Sequence, residues 1–230
     1  MGFCIFSNVA LAAAHSVNTI GLKRVLVVDW DVHHGNGTQE IFLDDPRVLV
    51  FSAHRYDRGI FYPGSYYQAI GKKEIPGAPS VVGNGDGAGH TINLGWDCVS
   101  TGQSMGNADY VAAWDSLLMP IAEEYDPELV IISAGFDSAL GDPEGELGLT
   151  PEGYAYLTSR LMSLANGRVV MALEGGYNIP AVKYCLAGCT ATLLGTPAPG
   201  KEEFGRPCET ALAAIAEVAA AQRPYWKCLQ

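Results

Sequence analysis

Val25-Leu-Val-Val-Asp29-Trp-Asp31-Val-His33-His34-Gly-Asn-Gly37 is the stretch whose reading decides the fold. An apolar, β-branched run enters it, a glycine turn leaves it, and acids and histidines crowd the junction. Side chains alternate faces along a strand, so Asp29, Asp31 and His33 are expected on one side and Trp30, Val32 and His34 on the other. Two carboxylates and an imidazole sharing a face at a strand's end are poorly explained by packing and well explained by a metal site.

Working outward, apolar strand-like runs alternate with helical ones. The pattern predicts helices over 8–20 (stopped at Gly21), 36–43, 107–124, 151–166, 180–194 and 208–222, and strands over 24–29, 47–53, 91–94, 128–134 and 168–173. Asn107 or Asp109 is expected to cap the 107–124 helix and Pro120 to kink it; Thr150 and Pro151 stand as N-cap and first residue of the next. Such alternation implies an α/β fold, a mostly parallel sheet with helices on both faces. Two stretches break the rhythm. Residues 57–90 form a long Gly/Pro/Tyr-rich connection, and 195–207 read as a surface linker before the last helix.

Composition bounds the rest. At 230 residues with 48% hydrophobic and 17% charged, the chain is expected to fold as one domain, 1–230. A net charge of −11 argues against direct nucleic-acid binding and suits a cationic substrate. Six scattered cysteines with no C-x-x-C pair suggest reduced, mostly buried thiols and an intracellular protein. The N-terminus has no basic region of a signal peptide, and no apolar run reaches the ~20 residues of a membrane span.

In parallel sheets ligands bind beyond the carboxyl ends of the strands. That rule selects Asp29-x-Asp31-x-His33, then Gly135-Phe136-Asp137, then Glu174-Gly175-Gly176-Tyr177. Two acids and one imidazole with a vacant position suit catalytic zinc, and a nearby tyrosine hydroxyl suits an oxyanion. A rival motif, Gly102-Gln-Ser104-Met-Gly106, matches a nucleophile elbow, but no strand precedes it and none of the five histidines follows it.

Five segments in order, Gly2-Phe3-Cys4, Asp29-Trp-Asp31-Val-His33-His34-Gly35, Phe51-Ser52-Ala53-His54-Arg55-Tyr56-Asp57, Ser133-Ala-Gly135-Phe136-Asp137 and Leu173-Glu174-Gly175-Gly176-Tyr177-Asn178, resemble the zinc-dependent histone deacetylase family, class II. The resemblance implies an arginase-like fold and hydrolysis of an N-acetyl amide. It assigns zinc to Asp31, His33 and Asp137, polarisation of the acetyl carbonyl to Tyr177, and the substrate tunnel to Phe3, Tyr62 and Gly176. It assigns a structural potassium to Asp29, Asp31, His33, Ser52 and Ala53, and no ligand role to His34. Glu144 resembles the gatekeeper of class IIb polyamine deacetylases, so acetylspermidine is the implied substrate, with acetyl-lysine proteins, histones among them, as the other choice. Cytoplasm or nucleus is the implied location. The family's His-His acid/base pair precedes the Gly-Phe-Cys motif, so the chain reads as an N-terminally truncated domain with an uncovered sheet edge. The alternative is a zinc-holding pseudoenzyme or interaction fragment. Segment 62–83 is longer than the family pattern suggests.

Overall fold

The computed structural model describes residues 4–71, 75–99 and 102–230; Phe3 lies outside them. Five strands, β1 (Val25–Asp29), β2 (Val48–Arg55), β3 (Thr91–Trp96), β4 (Leu129–Ala134) and β5 (Val169–Leu173), form one parallel sheet in the order β3-β2-β1-β4-β5. The helices are α1 (Asn8–His15), α2 (Asn36–Phe42), α3 (Gly64–Ala69), α4 (Asn107–Ala113), α5 (Met119–Tyr125), α6 (Pro151–Met162), α7 (Ile179–Leu193) and α8 (Glu209–Gln222). Strand order runs outward from β1 in one direction through β2 and β3 and in the other through β4 and β5. The reversal opens a crevice between the carboxyl ends of β1 and β4, where a site is expected.

β1 is buried along its whole length, and its alternation separates two cores. Val25 and Val27 pack with Val9, Ala10 and Ala13 of α1. Leu26, Val28, Trp30 and Val32 join a larger cluster with Trp114, Tyr154 and Phe136 on the other face. Trp30 meets the Tyr154 ring edge-on at 5.6 Å, so the residue between the two acids anchors the site's entry strand to α6.

The two edges of the sheet differ. β3 is fully buried; Gln222 Nε2 donates to Thr91 O at 2.6 Å and the Trp226 indole donates to Gly89 O at 3.0 Å, so α8 and the C-terminal segment close that side. β5 is the open edge among the described strands, with Val170 51% and Leu173 57% exposed.

Several local expectations are corrected. β1 ends at Asp29 and residues 31–33 are bends, so the alternation that separated His33 from His34 does not extend to His34. The 107–124 helix passes through a π turn, Trp114–Leu118, that takes up the amide Pro120 cannot supply. Its start is capped by Asp109, whose carboxylate accepts from Gly106 N at 2.8 Å, whereas the Asn107 side chain pairs with Thr150. Thr150 occupies the N-cap position of α6, but its hydroxyl donates to Glu152 rather than receiving a helix amide. Within 57–90 lies α3, tied down by Tyr67 Oη donating to Glu40 at 2.8 Å. The 195–207 stretch has no buried residue and leads into α8, touching the body through Phe204 against the Tyr156 ring at 5.7 Å and Lys201 bridging to Asp115 at 3.3 Å. None of the six cysteines forms a disulfide, but only Cys98, Cys185 and Cys189 are buried.

Candidate metal centre

The crevice gathers three side chains from two strand ends. Asp31, His33 and Asp137 each offer one ligand atom, and those atoms all lie within 4.8 Å of one another. His33 Nδ1 stands 3.2 Å from both Asp31 Oδ1 and Asp137 Oδ2. Backbone amides fix each carboxylate: Gly175 N donates to Asp31 Oδ2 at 3.0 Å, and Val32 N donates to Asp137 Oδ1 at 2.7 Å. Asp137 is fully buried, and its Oδ2, which meets His33 Nδ1, receives no backbone amide among the described residues. Gly175 leaves the convergence point open, since a Cβ there would collide with Asp137 Oδ2 and Asp31 Oδ2. An acceptor-rich cradle with a buried, under-satisfied carboxylate oxygen suits a cation, and the one-imidazole, two-carboxylate donor set suits zinc.

A layer of rings braces the imidazole. Phe61 stacks on His33 with centroids 5.4 Å apart and planes at 20°. Arg55, at the end of β2, lays its guanidinium 4.7 Å over the same Phe61 ring and pairs with Asp57 at 2.6 Å. Tyr62 approaches His33 edge-on at 5.9 Å, and its hydroxyl donates to Asn36 Oδ1 at 3.3 Å.

A cavity of about 560 Å³ opens over the centre, lined among others by Asp29, Asp31, His33, His34, Tyr62, Glu174, Gly176 and Tyr177. Its lining is rich in carboxyl groups, with Asp29, Asp31 and Glu174 close together. Burial, then the charge of Asp31, pushes Asp29 well above the usual carboxylate range, and burial with Asp31 raises Glu174 as well. Burial raises Asp137 to about 6 despite its hydrogen bond to His33. At His33 burial opposes the charge, but the hydrogen bonds to Asp137 and Asp31 prevail and lift the imidazole to about 10.

A pH dependence follows. Below pH 10 a metal must displace the His33 proton, and below pH 6 the Asp137 proton too. Apparent zinc affinity is therefore expected to rise about tenfold per pH unit between pH 7 and 9, and more steeply below 6. Competition titrations with a chelator at several pH values measure this; a flat profile contradicts the ligand assignment.

Tyr177 stands on the cavity rim, 41% exposed, on the loop after β5. Burial, then Asp137, Asp31, Glu144 and Asp142, push its phenol up to about 12. Glu144 is exposed on the adjacent turn, near enough for its charge to bear on Tyr177. Gly176, at φ 136° and against Val182, allows the chain to turn beneath the cavity. Asp29 and Ser52 are register partners on neighbouring strands, with Ala53 next along β2. The Ser52 hydroxyl is 2.9 Å from His54 Nδ1 and donates to it, since His54 Nε2 faces Gly77 O at 3.1 Å. His34 lines the cavity but its Nε2 donates to Gln39 and Asn93, each at 3.1 Å, and burial lowers it to about 4.

Sequence reasoning missed Phe61 and gave no site role to Arg55, Glu174 or Asp142, although all three stand in segments it singled out. Arg55 carried one available signal, a cation at the carboxyl end of a strand that is buried along its whole length.

A family model described as the histone deacetylase domain matches residues 1–193. The human polyamine deacetylase HDAC10 is 52% identical over 229 residues, covering 100% of this chain and 32% of that protein. Histone deacetylase clr3 of Schizosaccharomyces pombe is 44% identical over 231 residues, again 100% of this chain and 32% of that protein. The solved structure of the histone deacetylase Clr3 matches with a TM-score of 0.88 and 42% identity, covering 98% of this chain and 36% of that one. The chain spans about a third of the length of these curated relatives. Carried by the match along most of its length and by a shared fold, the chain belongs to the histone deacetylase family.

Proposed function

We propose that this chain is the metal-holding part of a zinc-dependent deacetylase that hydrolyses an N-acetyl amide, with an acetylated polyamine as the favoured substrate. The convergence of Asp31, His33 and Asp137 within 4.8 Å, beneath a cavity that Tyr177 also lines, carries the reading. Bound there, zinc would polarise the acetyl carbonyl and acidify water. The residues supply the rest. Tyr177, kept protonated by its surroundings, donates its hydroxyl hydrogen to the carbonyl oxygen as charge builds on it. Phe61 and Arg55 hold the His33 ring, and Tyr62 and Gly176 shape the approach. The same reading gives Asp29, Ser52 and Ala53 to a structural potassium, supported by the pairing of Asp29 with Ser52. It sets the protein in the cytoplasm or nucleus with no direct nucleic-acid contact; among the described residues no helix is long and apolar enough to cross a membrane.

Glu144 supports the polyamine preference: an exposed carboxylate whose charge bears on Tyr177 attracts a secondary ammonium and has no charge attraction to a neutral peptide backbone. One observation favours a second reading, a zinc-holding interaction fragment: the histidines lining the cavity are His33 and His34, and His34 is held neutral by burial. The zinc-loaded chain, assayed with acetylspermidine and with an acetyl-lysine peptide, separates the two. Turnover with acetylspermidine preferred supports the first, and Glu144→Leu should lower that preference by about tenfold. An unchanged ratio removes the gatekeeper role. Folded, zinc-loaded protein without turnover on either substrate selects the second reading.

A further inference from the structure

One buried carboxylate, Asp142, ties together two parts of the site that come from different strand ends. It is 4% exposed. Its Oδ2 accepts from Tyr177 N at 2.7 Å and Asn178 N at 3.1 Å. Its Oδ1 accepts from Glu144 N at 2.9 Å and Gly145 N at 3.4 Å. Four backbone amides thus converge on a single side chain. The Asn178 side chain adds a parallel stitch, donating to Gly141 O at 2.7 Å while its own oxygen accepts from Ala181 N at the start of α7.

The turn that carries Asp142 is itself immobilised against the metal centre. Gly145 sits so close to Asp137 O that a Cβ there would overlap it, and Arg55 Nη1 donates to Gly145 O at 3.1 Å. Arg55 also reaches Glu146 at 2.9 Å from the position where it covers Phe61. Residues 142–146 are therefore fixed to the Asp137 side of the site. The Tyr177 loop is glycine-rich and leaves the open edge strand β5. Asp142 is the group through which the fixed turn constrains that loop.

We propose that Asp142 is a positioning residue that sets the Tyr177 backbone against the metal centre and holds the Glu144 turn in a fixed relation to it. The assignment rests on the reading that Tyr177 serves the substrate carbonyl. It explains why a carboxylate is needed: only a group with acceptors on both ends receives two amide pairs. In Asp142→Asn the side-chain NH2 must face one pair, donor against donor, so one half of the clamp is lost while size is kept.

The test uses the zinc-loaded full chain. In Asp142→Asn, amide hydrogen exchange at Tyr177 and Asn178, or at Glu144 and Gly145, should quicken by about tenfold or more, with β4 amides unchanged. The turnover number should fall about tenfold or more with KM within about threefold. In a Tyr177→Phe background, Asp142→Asn should cost less than about twofold further, because it acts through the tyrosine. Unchanged exchange at both amide pairs, or a full multiplicative loss in that background, overturns the proposal. If Tyr177→Phe itself leaves turnover intact, the functional reading fails, while the exchange result still decides whether Asp142 holds the loop. Should Asp142→Asn not fold, Asp142→Glu keeps the charge and the acceptors but extends them by one methylene. Faster exchange at Tyr177 with unchanged zinc affinity then supports the role, and exchange identical to wild type refutes it.

Discussion

Tyr177→Phe is expected to reduce turnover by about 10²–10³-fold while leaving zinc affinity and melting temperature close to wild type. The phenol has two possible uses in such a site, as a proton donor or as an anion. Its environment selects the first. Burial, then Asp137, Asp31, Glu144 and Asp142, raise it to about 12, so the hydroxyl keeps its hydrogen at every working pH. A neutral donor held where negative charge develops on a carbonyl oxygen acts more strongly in the transition state than on the ground-state amide. Its removal should therefore lower the turnover number with little change in KM. The ring is 41% exposed and stands apart from both buried cores, so deleting one oxygen should not unsettle the fold. Steady-state kinetics on acetylspermidine, with zinc content measured on the same sample, decide the matter. A turnover number within threefold of wild type would remove Tyr177 from the chemistry.

Which parts of this site were legible in the sequence follows from how local their causes are. Asp31, His33 and Asp137 could be read because a parallel sheet sends the ends of its strands to one edge, and apolar runs mark those ends without knowledge of packing. Tyr177 was legible for the same reason, since it follows β5 through a Gly-Gly turn. The division between His33 and His34 failed because it extended strand geometry past Asp29, where the chain bends. Phe61 and Arg55 were illegible as site residues. Their stack on His33 brings together the end of β2, the turn after it and the bend after β1, a meeting that no periodicity records. Asp142 reads locally as a turn residue before proline, a common and sufficient reason for an aspartate. Its partners on the Tyr177 loop lie 35 and 36 residues away in sequence. The π turn before Pro120 was hidden likewise, because helical periodicity continues through it.

The second large effect is expected at Asp137. Replacing this fully buried carboxylate with asparagine keeps the oxygen that accepts from Val32 N but puts an amide where Oδ2 meets His33. The metal position then loses one of its two carboxylates and faces an N–H donor. Breaking a buried charge pair by removing one partner costs about 3–5 kcal/mol, which is roughly 10²–10⁴ in zinc Kd. Thermal melting reads this without any need for turnover. Zinc at a hundredfold its wild-type Kd should stabilise the wild-type chain by about 2.7 kcal/mol, a rise of roughly 5–10 °C for a domain of this size. At the same zinc concentration the variant sits at or below its own Kd, so its gain should be about 0.4 kcal/mol or less, close to 1 °C. The contrast separates the metal from the fold, because each protein is compared with itself with and without zinc. Asp29→Asn is the control within the same acidic cluster. Its hydrogen bond to the centre is to the Asp31 backbone amide rather than to a ligand atom, so it should keep most of the zinc-induced rise. Equal rises in the wild-type and Asp137→Asn chains would mean that zinc binds elsewhere, and the Asp31–His33–Asp137 assignment would fall with it.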